Sequence, residues 1–176
     1  MFDVKVSDEQ ITYAEFLITH YNFGQRGYGD GSPKEQRTGM IGQVVLADLL
    51  GLPRPTGEEG FDGGYDFVIN GKKVDLKTMS RTGPMKSFYV HNFIGYQIKY
   101  DTQIFIVASL NTTNNILTIC GTVTKERILE KAVFTPQGGY RMRSDGTRFK
   151  VKAPLYEIEQ QYICNADSLQ DIIKNI

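Results

Sequence analysis

Two aspartates and a lysine, Asp66, Asp75 and Lys77, flank the dipeptide Asn70-Gly71. Asparagine and glycine tolerate the positive φ that a two-residue type I′ turn requires, so this dipeptide between two β-rich runs predicts a hairpin and sets its register. With Asn70 and Gly71 as the loop, Ile69 pairs with Lys72, Val68 with Lys73, Phe67 with Val74, and Asp66 with Asp75. Side chains alternate between the faces of a strand, which gathers Phe67, Ile69, Val74 and Leu76 on an apolar face and Asp66, Val68, Lys73, Asp75 and Lys77 on the other. The two carboxylates are then expected about 5 Å apart at their β-carbons, with an ammonium two residues along. Directly opposed like charges ask for a compensating cation or for a raised pKa on one partner. A divalent ion answers that need: magnesium takes a few carboxylate oxygens and leaves its other positions to water and substrate phosphate.

An Asp-x-Lys triplet alone is weak, since one arises by chance roughly once in a chain of this size. Asp3-Val4-Lys5 is such a triplet, and without an upstream strand to oppose it, it is read as solvated surface. Asp75-Leu76-Lys77 gains its weight from Asp66 and the turn.

Other chemistry-bearing residues are less organised. His20 and His91 lack paired spacing and are read as structural or exposed. Cys120 and Cys164 lie far apart and are read as buried, inert thiols. The glycines between 57 and 64 come with Glu58, Glu59 and Asp62, which repel phosphate, so this stretch is read as the loop leading to Asp66. Gln97 and Tyr100 would share a helix face that reaches substrate, against the plainer reading of a capping or buried tyrosine. Arg141, Arg143, Arg148, Lys150 and Lys152 form the clearest basic stretch. It is read either as a solvated hairpin or as a phosphate-gripping flap in which Arg141, Arg143, Lys150 and Lys152 bind nucleic acid.

The elements that must position the hairpin follow from pattern. Ser7 caps a helix over residues 8–21, and residues 22–32, with four glycines, form a connector. A second helix opens at Pro33 or Lys34, runs through Met40, Ile41, Val44 and Val45, and stops at Gly51 and Pro53. Gly39 and Gly42 each weaken it by up to about 1 kcal/mol relative to alanine, which predicts close approach of a neighbouring backbone. Strands are expected over 65–69, 73–79, 88–91, 103–110, 116–122 and 155–163, with a turn at Asn114-Asn115, a short helix over 125–131 and a final helical turn over 168–176.

Asp66 followed nine residues later by Asp75-Leu76-Lys77 resembles the PD-(D/E)XK nuclease superfamily, the restriction-endonuclease-like fold. That family's core, a helix, three antiparallel strands, a helix and a further strand, can be laid along residues 33–110. Residues 37–43, Arg-Thr-Gly-Met-Ile-Gly-Gln, resemble its first core helix, where a glutamate often adds a metal or supporting ligand. Tyr65 stands in place of the motif's proline, and Gln43 in place of the glutamate. The resemblance implies an α/β (α+β) domain with a central mixed β-sheet flanked by helices. It implies further that Asp66, Asp75 and the Leu76 carbonyl hold Mg2+ or Mn2+, that Lys77 orients the attacking water, and that a neutral Gln43 orients water or a ligand.

The chain has 176 residues, 40% hydrophobic and 23% charged, which fits one globular domain over 1–176. Twenty basic residues balance twenty acidic ones, so a nucleic-acid partner rests on local features. The charged amino terminus does not read as a secretory signal, and the cytoplasm is the expected location. The leading expectation is a metal-dependent endonuclease acting on DNA in restriction, repair, recombination or phage replication, for which a homodimer would suit double-strand cleavage. The alternatives are a degenerate nuclease-fold module that binds DNA or protein, and an assembly protein whose aspartates sit on an exposed sheet face.

Overall fold

The computed structural model describes residues 1–21, 32–58, 63–142 and 146–176. The connector of residues 22–32 (apart from Ser32), the middle of the glycine loop at 59–62, and the segment 143–145 with Arg143 lie outside the described residues.

The architecture is α+β. A mixed five-stranded sheet runs in the order β1 (Phe2–Lys5), β6 (Ile116–Thr124), β5 (Ile104–Asn111), β3 (Lys72–Arg81), β2 (Phe67–Ile69). Within it β3 and β5 are parallel and the other pairs antiparallel. A three-stranded sheet has β10 (Leu155–Glu159) between β4 (Val90–Ile94) and β7 (Val133–Thr135), and β8 (Tyr140–Met142) with β9 (Arg148–Lys150) forms a separate hairpin. The helices are α1 (Asp8–His20), α2 (Pro33–Leu50), α3 (Lys125–Lys131) and α4 (Leu169–Asn175).

Strand β5 explains the layering. Ile104, Ile106, Ala108 and Leu110 enter one core with Leu17 of α1, Ile41 and Val45 of α2, and Ile172 of α4. The alternate residues Phe105 and Val107 enter a second core with Phe93 of β4, Ile128 of α3 and Ile158 of β10. A strand buried on both faces reads as the unbroken apolar run that residues 104–108 carry. Helices α1, α2 and α4 therefore cover one face, while the small sheet and α3 cover the other. This differs from a sheet flanked by helices alone.

Local signals place α1 and α2. Ser7 with Gln10 and Ser32 with Glu35 form reciprocal capping boxes, Pro33 opens α2, and Gly51 closes it at φ 65°. Arg54 bonds both Glu9 and Asp48, tying α1 to α2.

Four expectations need correction. The strand expected over 88–91 runs over Val90–Ile94 and joins β10 instead of the central sheet. The second core helix of the resemblance is a single 3-10 turn at Gln97–Lys99, too short to present Gln97 and Tyr100 on one helical face. Cys164 is exposed, whereas Cys120 is buried with burial pushing its thiol up to about 12. The late strand stops at Glu159 and continues as a 3-10 turn. The amino-terminal triplet lies in edge strand β1 with Asp3 and Lys5 exposed, as a solvated surface requires. None of the described helices is long and apolar enough to cross a membrane.

Candidate active site

The hairpin turn forms as its residues dictate, with Asn70 at φ 51° and Gly71 at φ 75°. Its ladder pairs Ile69 with Lys72, Val68 with Lys73 and Phe67 with Val74. Phe67, Ile69, Val74 and Leu76 are buried in the helix-side core, and Val68 is exposed.

The ladder ends one pair short of the aspartates. Asp66 donates its backbone N–H to the Val74 carbonyl at 3.0 Å, so it does not pair with Asp75. Its carboxylate turns into the gap beside β3, where Oδ2 accepts the Leu76 N–H at 2.7 Å. The side chain thus substitutes for a strand carbonyl where β2 has stopped, because a backbone donor in a largely buried strand needs an acceptor. The other carboxylate oxygen, Oδ1, accepts from Gln43 Nε2 at 2.6 Å.

Gln43 reaches that oxygen because α2 lies directly on β3. A Cβ on Gly42 would stand 2.1 Å from Thr78 Oγ1 and 3.2 Å from Leu76 Cδ2, so only glycine permits the approach. Gly39 makes no such contact, with nothing within 4 Å of an added Cβ. Gly42 therefore carries the packing expected of both.

Asp75 and Lys77 lie beside Phe105 and Val107 of β5, on the face opposite α2. Asp75 is 7% exposed, and its Oδ2 forms an ion pair with Lys77 Nζ. A carboxylate and an ammonium at i and i+2 share one strand face, and the surrounding burial makes their attraction stronger than it would be in water. Asp66 thus accepts from two neutral donors, and Asp75 pairs with a cation.

Backbone direction supplies another group. The Lys73 and Arg81 carbonyls accept from Gln103 and Thr112 on the β5 side, whereas the Val74 carbonyl and the Leu76 N–H face Asp66. In a strand both polar groups of a residue point the same way, so the Leu76 carbonyl faces the Asp66 edge as well. The Asp66 carboxylate and the Leu76 carbonyl face this edge and the Asp75 carboxylate stands on the adjoining sheet face, all of them hard oxygens of the kind magnesium and manganese take. Among the described residues no cluster of three or more His, Cys, Asp or Glu side chains is gathered, so the fit rests on two carboxylates and a backbone oxygen.

The basic stretch divides. Arg141 pairs with Glu157 of β10, whose side chain is 9% exposed, and its guanidinium lies 5.6 Å from the Phe149 ring. Burial pushes the Glu157 carboxyl above its ordinary value, and Arg141 opposes that rise. Arg141 is therefore an anchor of its hairpin, not an open phosphate grip. Lys150 and Lys152 are exposed.

His91 is fully buried between the sheets. Gln160 gives its Nε2 to the Cys120 carbonyl and to Asn165, so its Oε1 accepts from His91 Nε2 at 2.7 Å. Burial pushes the His91 pKa down to about 4, which keeps the ring neutral. His20, at the end of α1, bonds the Phe16 carbonyl through Nδ1. The residues that sequence reasoning missed are Thr78, which receives α2, and the Leu76 N–H, which fixes Asp66; glycine immediately before Gln43 is the one available signal for the first.

The chain matches no protein-family model, no curated protein and no solved structure.

Proposed function

We propose that this chain is a metal-dependent nuclease of restriction-endonuclease-like design that hydrolyses phosphodiester bonds of DNA, acting as an endonuclease in restriction, repair, recombination or phage DNA metabolism. The observation that carries the reading is how Gln43 from α2 and the Leu76 N–H of β3 both hold Asp66 while the residues flanking Leu76 form the Asp75–Lys77 pair. Asp66, Asp75 and the Leu76 carbonyl would hold Mg2+ or Mn2+. Such an ion makes water more acidic and offsets the negative charge that grows on phosphoryl oxygens during hydrolysis.

The chain's own residues do the rest. Gln43 and the Leu76 N–H fix the Asp66 carboxylate, so its orientation is set before substrate arrives. Lys77 keeps an ammonium beside the carboxylates, where it offsets charge on a nearby phosphate and orients water toward it.

A second reading is favoured by the same ion pair. Lys77 compensates Asp75 without any metal, and a neutral Gln43 adds no ligand charge, as in a degenerate nuclease-fold module that holds DNA or a protein. Cleavage separates the two. Incubation with single-stranded, duplex and branched DNA, with and without manganese, should give manganese-dependent products from the wild type and none from Asp75→Asn. Equal cleavage by both proteins removes the hairpin from the chemistry, and binding without cleavage supports the degenerate module.

A further inference from the structure

The β8–β9 hairpin has two unlike faces. Its register pairs Tyr140 with Lys150, Arg141 with Phe149, and Met142 with Arg148. Residues opposite each other share a face, and neighbours along a strand do not. Arg141 and Phe149 therefore share the anchored face, where Arg141 meets Glu157. Tyr140, Met142, Arg148 and Lys150 share the other.

That second face is open. Tyr140 is 57% and Met142 68% exposed, and Arg148 and Lys150 are also exposed. The Arg148 guanidinium lies over the Tyr140 ring, 4.1 Å from its centroid. A guanidinium over a phenol ring makes a surface that is both apolar and cationic. Between residues 136 and 152 the sequence holds one carboxylate, Asp145, against Arg141, Arg143, Arg148, Lys150 and Lys152. Flat apolar groups alternating with cations match a polymer that alternates flat bases with phosphates, whereas an acidic protein surface offers no bases to stack.

The hairpin is also connected to the candidate active site. Tyr96 Oη bonds Gln137 at the start of the hairpin at 3.2 Å. At the other end of the same connection, Thr102 donates its hydroxyl to the carbonyl of Gly64, two residues before Asp66.

We propose that Tyr140, Met142, Arg148 and Lys150 form a stacking platform for single-stranded nucleic acid. The proposal deepens the nuclease reading by naming the form of substrate strand, and it rests on that reading for the choice of a nucleic-acid ligand. Bases stack on Tyr140 and the Arg148 plane, Met142 adds apolar contact, and Lys150 meets the backbone.

The test is fluorescence anisotropy in the presence of chelator, so that no cleavage occurs, with a labelled oligothymidine of about 20 nucleotides, longer than a single-strand site of roughly 4–16. Wild-type protein should bind it, and Tyr140→Ala should weaken binding about tenfold or more while Tyr140→Phe, which keeps the ring, stays within about twofold. Lys150→Ala should also lower the slope of log affinity against log salt by about 0.7. Circular dichroism melts establish that each variant folds. Equal affinity of Tyr140→Ala and wild type, or no binding by wild type, overturns the platform. Tyr140-dependent self-association on a sizing column without oligonucleotide binding assigns the face to a second copy and overturns it too. Manganese-dependent cleavage is scored in parallel: cleavage without Tyr140-dependent binding rejects the platform alone, and Tyr140-dependent binding without cleavage rejects the nuclease reading alone.

Discussion

Gln43 and Asp66, twenty-three positions apart in sequence, meet through a 2.6 Å hydrogen bond that ties the middle of α2 to the entry of the hairpin. The acceptor is a carboxylate, so the bond is of the stronger, charge-assisted kind. Gln43→Ala should cost about 1–2 kcal/mol of stability. Gln43→Glu should be worse without metal, because it sets a second carboxylate against Asp66, and should show a larger magnesium-dependent rise in Tm than the wild type. Thermal melts with and without magnesium check this; an equal magnesium shift in both proteins would take the metal away from this corner.

Lys77→Ala removes the ammonium from an aspartate that is 7% exposed. Metal-free stability should fall by roughly 1–3 kcal/mol, short of the full cost of an orphaned buried charge because the site is partly solvated. Single-turnover cleavage should slow by on the order of a hundredfold, the scale set by removing one preorganised electrostatic group. DNA affinity measured in calcium should move far less. A variant that cuts at the wild-type rate would dismantle the role given to Lys77.

Gly42→Ala drives a methyl group against Thr78 Oγ1. The expected cost is about 1–3 kcal/mol, with loss of cleavage as α2 lifts Gln43 away from Asp66. Because the nearest obstruction is a side chain, Thr78→Ala should recover part of that loss in a double-mutant cycle. Additive effects would mean that the helix is held off by something else.

Arg141→Ala leaves the Glu157 carboxylate buried without its cation. Burial already raises the Glu157 pKa, and losing Arg141 raises it further. The folded state then prefers the protonated acid, so the group's penalty is absent below its unfolded value and grows as pH rises through that value toward the folded one. The stability gap to wild type should be about 2 kcal/mol at pH 7 and should close toward pH 4. Denaturant titrations across that range test it, and a gap that widens toward acid would reverse the assignment.

His91 works in the opposite direction. Its folded pKa of about 4 lies below the ordinary 6.5, so the folded state excludes a proton that the unfolded chain accepts. The stability it contributes is complete above pH 6.5 and is lost as pH falls toward 4, about 2 kcal/mol of it by pH 5. His91→Gln, which removes the titrating group, should flatten that acid limb in chemical denaturation. An unchanged limb would place the acid sensitivity elsewhere.

What the sequence by itself determined is what short-range chemistry controls. Asn70-Gly71 dictated a turn with two positive φ values, and that turn set the pairing of Phe67 with Val74. Ser7 dictated where α1 begins, and Pro33 and Gly51 where α2 begins and ends, since each satisfies or blocks backbone groups within a few residues. Strand alternation then sorted Val74 and Leu76 from Asp75 and Lys77.

Tertiary structure decided what depends on neighbours distant in the chain. Extending the register by one pair placed Asp66 opposite Asp75, but Asp66 instead follows the Leu76 N–H and the Gln43 amide, two donors that alternation cannot anticipate. The strand at Val90–Ile94 left the central sheet because β10, more than sixty residues later, offers it an edge and a second core. Arg141 turned inward because Glu157, on that same β10, needs a cation where burial disfavours its charge. Local sequence carries no record of which distant backbone donor or buried carboxylate will require a partner, because that need arises only when packing excludes water.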